Sequence, residues 1–142
     1  MASQSLFRQK FTIVGGDFSN AGRASTRLRN ILKKIGVPPP VIRRVATAAY
    51  EAEMNVVIYA SRGTLSFAVT PQEITIVIED QGQGIADIDL AMQEGYSTAS
   101  KEIQEMGFGA GMGLPNIKRN VDKLEISSEV GCGTTVRFTV NI

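Results

Sequence analysis

Apolar and polar positions alternate in part along residues 5–14, SLFRQKFTIV, which predicts a strand. GGDFSN follows as a turn, with Asp17 and Ser19 as candidate helix N-caps. From about Ala21 to Ile35 the period changes to a helical one. Ala24, Leu28, Ile31, Leu32 and Ile35 form the apolar stripe and the arginines lie off it. GVPPP ends that helix. Pro40 suits the first turn of a second helix, which is expected to run to about Ala60 with a stripe of Val41, Val45, Ala48, Ala52, Val56 and Tyr59. GTLSFAVT and EITIVIED then read as two strands joined at Pro71-Gln72, and a short helix is expected near Asp87–Gln93. Residues 94–112 are glycine-rich with little periodicity and read as a mobile loop. LPNIKRNVDKL reads as a helix with Pro115 in its first turn. LEISSEV and TTVRFTVNI read as closing strands around Gly131-Cys132-Gly133. The order β-α-α-β-β-α-α-β-β implies an α+β fold, a two-layer sandwich whose mixed sheet is covered by helices on one face.

Composition narrows the picture. The 142 residues suffice for one domain with one core, so residues 1–142 are expected to form a single unit. No apolar run reaches membrane-spanning length and MASQSLFRQK lacks a signal-peptide core, so a cytoplasmic protein is expected. The single cysteine, Cys132, excludes an internal disulfide and a multi-cysteine zinc site. The absence of histidine removes Ser-His-Asp and Cys-His nucleophile pairs, HExxH metal sites and phosphohistidine chemistry within this chain. Acid–base work falls to carboxylates, lysines or tyrosines.

The net charge of +1 hides an asymmetry. Between Phe18 and Tyr50 stand Arg23, Arg27, Arg29, Lys33, Lys34, Arg43 and Arg44, with no acidic residue. Such a segment reads either as a solvated helix surface or as a docking face for an acidic partner. Nucleic acid is disfavoured, because no aromatic residues interleave the basic ones.

Three local patterns carry candidate chemistry. In YEAEMNVVIY, Glu51 and Asn55 are four apart and share one helical face at the edge of the apolar stripe. A carboxylate above a side-chain amide suits a general base beside an oxygen ligand for Mg²⁺, and equally a solvated surface pair. Glu53 points away from that face and is expected to be solvated. In EDQGQGI, Asp80 ends a strand, and Gly82 and Gly84 permit backbone geometry closed to other residues. A carboxylate there can accept hydrogen bonds from an exocyclic amine such as that of adenine, with the glycines letting the ring approach the backbone. A tight strand-to-helix turn uses the same residues. In GFGAGMGLPN, Gly109, Gly111 and Gly113 precede a helix, where backbone N–H groups can bind phosphate. A flexible linker has the same composition. Neither a Walker A loop nor a Rossmann fingerprint fits.

In this order the three patterns resemble the N, G1 and G2 boxes of the Bergerat-fold (GHKL) ATP-binding superfamily. GCGTTV adds a fourth element, in which Thr134 matches a threonine that helps hold adenine. The resemblance spans nearly the whole chain. It implies that Glu51 and Asn55 face ATP and Mg²⁺. The implied nucleotide contacts are Asn55, Asp80, Gly82, Gly84, Ile85, Gly109, Gly111, Met112, Gly113, Leu114 and Thr134. Asn55 is the implied metal ligand and Glu51 the implied base. Length and the missing histidine leave the stand-alone ATPase domain of the bacterial anti-sigma-factor serine/threonine kinases. The likeness is greatest to the stressosome switch kinases of the RsbT type, through EDQGQGIADIDLAMQEGYST, GLPNIKR and VVIYASRG. Residues 97–110 depart from that type, being longer and more charged; they are expected to act as a lid. The implied function is transfer of the ATP γ-phosphate to a STAS-type partner. Sequestration of a sigma factor, or an ATP-binding sensor or simple ATPase, stays open. So does a homodimer. No membrane contact is implied.

Overall fold

The computed structural model describes residues 7–82, 84–85, 87–93 and 113–142. In chain order the elements are β1 (Phe7–Val14), a 3-10 turn (Phe18–Asn20), α1 (Arg23–Lys34), α2 (Pro39–Tyr59), β2 (Ala60–Val69), β3 (Glu73–Gly82), α3 (Ile88–Ala91), α4 (Gly113–Asn120), β4 (Lys123–Glu129) and β5 (Gly133–Asn141). The expected succession of strands and helices is therefore observed. Ser5 and Leu6 of the expected first strand, and the whole of the 94–112 loop, lie outside the described residues.

The five strands form one sheet in the order β1-β2-β3-β5-β4. Period-two alternation decides its two faces. Leu65, Phe67 and Val69 of β2, Ile74, Ile76 and Ile78 of β3, and Val136, Phe138 and Val140 of β5 share the inner face and are buried. α1 adds Leu28 and Leu32, α2 adds Val45 and Val56, and α4 adds Ile117, completing a core between helices and sheet. The α+β two-layer sandwich is as expected. The mixed sheet is not: all four strand pairings are antiparallel. The reason lies between β1 and β2. Two helices, not one, occupy that connection, so the chain re-enters the sheet at the end where β1 left it. The Gly15 amide donates to the Ser61 carbonyl at 2.9 Å and the Gly16 amide to the Val57 carbonyl at 2.8 Å, which ties the two ends together.

Two boundaries differ from expectation. β2 starts at Ala60, before Gly63, because Ala60 pairs with Gly82 across a register shift. The last helix ends at Asn120 and does not reach Leu124. Sheet partners take over there: the Asp122 amide donates to the Thr139 carbonyl at 2.9 Å, and the Asn141 amide to the Asp122 carboxylate at 2.7 Å. Arg44 of α2 locks the same corner. Its Nε donates to the Asn120 carbonyl at 3.0 Å and its Nη2 stands 3.3 Å from Asp122 Oδ1.

Neither sequence candidate for an N-cap caps α1. Asp17 precedes the 3-10 turn and accepts from the Ser19 hydroxyl and the Asn20 amide, while α1 starts after Gly22 with no side-chain cap of its own. The cap comes from Glu53, which corrects its assignment to solvent. Glu53 is 2% exposed. Its carboxylate accepts from the amides of Gly22 (3.0 Å), Ala24 (3.2 Å) and Ser25 (2.9 Å). The first amides of a helix have no intrahelical partner, and the positive end of its dipole favours an anion, so the burial of this charge is compensated.

Candidate nucleotide site

α2 is the central support. Ala48, Ala52 and Val56 hold it on the sheet, while Glu51 and Asn55, one turn apart, sit half-buried on the side facing α4. The start of α4 comes within contact distance there. A Cβ on Gly113 would lie 3.4 Å from Asn55 Oδ1 and 3.5 Å from Glu51 Oε2. The expected meeting of Glu51, Asn55 and Gly113 is thus present. Leu114, next in α4, is buried. Gly109, Gly111 and Met112 lie outside the described residues.

Glu51 meets a partner that the sequence did not suggest. The side-chain amide of Asn116, on α4, donates to Glu51 Oε1 at 3.3 Å, and Arg119 Nη1 in turn donates to Asn116 Oδ1 at 3.1 Å. Burial pushes the Glu51 carboxyl above its ordinary value, and the Asn116 hydrogen bond opposes that in part. A half-buried carboxylate with a raised affinity for a proton and one neutral donor suits proton acceptance. The signal for Asn116 was its place on α4's first turn, three residues after Gly113.

The second cluster occupies the inner face at the end of β3. Asp80 pairs with Gly63 of β2, whose missing side chain lets Val56 of α2 press onto the sheet; a Cβ there would lie 2.8 Å from Val56 Cγ1. Asp80 thus faces the turn of α2 next to Asn55. Asp80 Oδ1 accepts from the amides of Gly82 (2.9 Å) and Thr134 (3.2 Å). Those bonds lower its proton affinity, but burial is the larger effect and leaves the carboxyl above its ordinary value. Thr134 is buried, and its hydroxyl shares a 2.8 Å hydrogen bond with that of Ser128. Ser128 also receives the Ile85 amide at 2.7 Å, which holds the start of the G1-like loop against β4. Sequence reasoning missed Ser128. Its signal was a polar residue in phase with Leu124 and Ile126, at the register position opposite Thr134.

The glycines of this cluster serve the protein's own packing. Gly82 is still in β3, and a Cβ there would sit 2.9 Å from the Tyr59 carbonyl and 3.0 Å from Asp80 Oδ1. Gly84 has φ +78° and abuts the Glu129 carbonyl; Gly133 has φ +130° and abuts that of Asp80. They bring β3, β4 and β5 together around Asp80 and Thr134.

The residues present suit a magnesium nucleotide. Asp80 stands half-buried beside a buried threonine, and Gly113 of α4 lies against the Glu51–Asn55 pair. Among the described residues no group of three or more acidic, cysteine or histidine side chains could hold a metal ion. Asn55 with Glu51 is a sparse oxygen set, of the kind that leaves most Mg²⁺ positions to phosphate and water. No helix of the described residues is long and apolar enough to cross a membrane.

The chain is similar to known proteins. The family model described as a histidine kinase-like ATPase domain matches residues 17–140. The serine/threonine-protein kinase RsbT of Bacillus subtilis is 33% identical over 113 residues, 77% of this chain and 79% of that protein. An anti-sigma F factor of Caldanaerobacter subterraneus subsp. tengcongensis is 35% identical over 108 residues, 70% and 72% of the two chains. Among solved structures, the SiaB–SiaC complex of Pseudomonas aeruginosa contains a chain with the same fold. Its TM-score is 0.63 at 18% identity, covering 97% of this chain and 90% of that one.

Proposed function

The chain belongs to the histidine kinase-like ATPase domain family, and on that premise we propose that the Glu51–Asn55–Asp80 arrangement transfers the γ-phosphate of ATP to a hydroxyl of a STAS-type partner protein. The chain is an ATP-dependent serine/threonine protein kinase, related to RsbT over most of both lengths. The observation that carries the proposal is the convergence of three separate segments on the edge of α2: Glu51 with Asn55, the first turn of α4, and the Asp80–Thr134 end of the sheet.

Each residue then has a task. Asp80 accepts from the exocyclic amine of adenine, with Thr134 beside it. Asn55 supplies an oxygen to Mg²⁺, whose contribution when bound is to neutralise phosphate charge. Gly113 and Leu114 present main-chain N–H groups at the start of a helix, where anions are favoured. Glu51 accepts the proton of the incoming serine or threonine hydroxyl. Most of the acceleration comes from positioning and charge neutralisation, as in phosphoryl transfer generally. The exposed cations of α1, Arg23, Arg27, Arg29, Lys33 and Lys34, form the docking face for an acidic partner surface. On this reading the protein acts in the cytoplasm.

Transfer of radiolabel from γ-labelled ATP to candidate STAS-domain proteins tests this reading. A labelled partner, with label lost in Glu51→Gln, is the expected result; ATP hydrolysis with no labelled partner would reduce the protein to an ATPase. A second reading rests on the anti-sigma F factor relatives and the same basic helix: sequestration of a sigma factor, with phosphorylation secondary. Co-purification of a sigma factor in place of a STAS protein would favour it.

A further inference from the structure

Glu53 belongs to neither cluster, yet it lies between the two site residues of α2 in sequence and carries the most completely satisfied carboxylate in the described structure. Its three donors are 31, 29 and 28 residues away in sequence, all in the first turn of α1. Tyr50, one turn earlier on the same side of α2, reinforces the grip. Gly22 has φ +91°, and a Cβ added there would stand 3.1 Å from Tyr50 Cε2. Gly22 therefore starts α1 in a left-handed conformation, against the Tyr50 ring and under the Glu53 carboxylate.

α1 brings no capping group of its own. It carries no side-chain cap and no acidic residue in its first turn, and its last turn holds Lys33 and Lys34. The Ser25 hydroxyl donates back to the Gly22 carbonyl at 3.0 Å, which closes the turn around the carboxylate. Residue 53 thus pins the start of a helix that bears five exposed cations, while Leu28 and Leu32 hold its middle in the core. Glu53 is two positions after Glu51 and two before Asn55, on the same turn of α2.

We propose that Glu53 is a positioning residue that joins the start of α1 to the site-bearing turn of α2, so that occupancy of the nucleotide site is felt at the Gly22–Ser25 amides. This rests on the reading that Glu51 and Asn55 line the nucleotide site. Were α1 also the docking face, the same joint would align it with the reacting phosphate. The device uses no group that reacts. A carboxylate held by three amides in a buried pocket is committed to those donors, and it resists any separation of the two helices it spans.

Amide hydrogen exchange with magnesium-ADP as the probe tests the joint on the full chain, beside calorimetry of the same binding. In the wild type the Gly22, Ala24 and Ser25 amides should exchange slowly, and slow further on saturation with magnesium-ADP. Glu53→Gln keeps the shape but offers one acceptor oxygen in place of two. It should speed those amides by about ten-fold or more, hold nucleotide affinity within about two-fold, and abolish the nucleotide-dependent slowing. Glu53→Asp should restore the slowing in part. A purely structural cap would lower the melting temperature of Glu53→Gln yet leave the nucleotide-dependent slowing intact, and that result overturns the proposal. Should neither variant fold, the wild type alone decides: binding without slowing at residues 22–25 overturns it. No heat of binding at all would sink the nucleotide reading and this inference together.

Discussion

Glu51 and Glu53 leave positions two apart on one turn of α2 and enter two regions that treat a carboxylate in opposite ways. Glu53 is sealed beneath the start of α1, where three backbone amides donate to it. Glu51 stands at the α4 side with one side-chain amide at 3.3 Å, and burial raises its proton affinity. Asp80 is of the Glu51 kind: two amides share one oxygen, and burial still dominates. The difference teaches that burial alone does not mark a functional acid. At Glu51 and Asp80, the groups of the proposed site, burial exceeds the supply of donors, so the protein holds a charge it would be more stable without.

The comparison can be broken most decisively at Glu51. Glu51→Gln should cut phosphoryl transfer by roughly a hundred- to ten-thousand-fold, the usual worth of a general base, while nucleotide affinity stays near the wild-type value. Single-turnover transfer to a verified partner measures it, and a wild-type rate would return Glu51 to the solvated class. Asp80→Asn comes next. Its Oδ1 can still accept from Gly82 and Thr134, so the fold should survive, but a hydrogen bond to a charged acceptor is lost. Such bonds contribute about 1.5–3 kcal/mol, or roughly ten- to a hundred-fold in the dissociation constant of an adenine nucleotide. Unchanged affinity by calorimetry would remove Asp80 from the site.

Gly22→Ala probes the other side of the comparison. It forces a Cβ into a left-handed backbone and toward the Tyr50 ring, at a cost of about 1–3 kcal/mol, visible as an earlier midpoint in urea. Nucleotide affinity should hold. Equal losses in affinity and stability would show that the two regions are not separable.

The smallest effect sharpens the contrast through pH. A carboxyl whose affinity for a proton is raised by folding adds stability below its unfolded pKa, and that contribution is lost as pH rises through its folded value. Glu51 and Asp80 are both in this class, so each weakens the folded state at neutral pH relative to acid. Glu51→Gln should therefore raise the melting temperature slightly at neutral pH, and the gain should vanish in acid below the ordinary carboxylate range. Because Glu51 is only half-buried, solvent screening keeps the gain small. Glu53→Gln should lower the melting temperature at neutral pH. A gain in both variants would erase the distinction between the two acids.

Much of this was legible along the chain. Leu65, Phe67 and Val69, Ile74, Ile76 and Ile78, and Val136, Phe138 and Val140 announce one buried face at period two, and Leu28 with Leu32 announces the buried stripe of α1. Prolines and glycines mark the helix limits between them. The Glu51–Asn55 spacing needs only a helix to become a face, and Asp80 needs only a strand end, so local order placed them correctly. Ile35, counted in the α1 stripe, is 43% exposed, because the helix stops one residue earlier and its last position clears the sheet.

What the chain itself determined, then, is which faces are apolar and which short segments carry polar groups at an element's edge. These depend on residues a few positions apart. The tertiary structure alone decided the antiparallel sheet, the partners Asn116 and Ser128, and the fate of Glu53. Each depends on which distant segment arrives with a donor, and a hydrophobic period encodes burial but not the neighbour that compensates it. A glutamate on an inward-facing turn reads the same from sequence whether three amides await it or none; its energy, and so its role, is set by a helix start some thirty residues away.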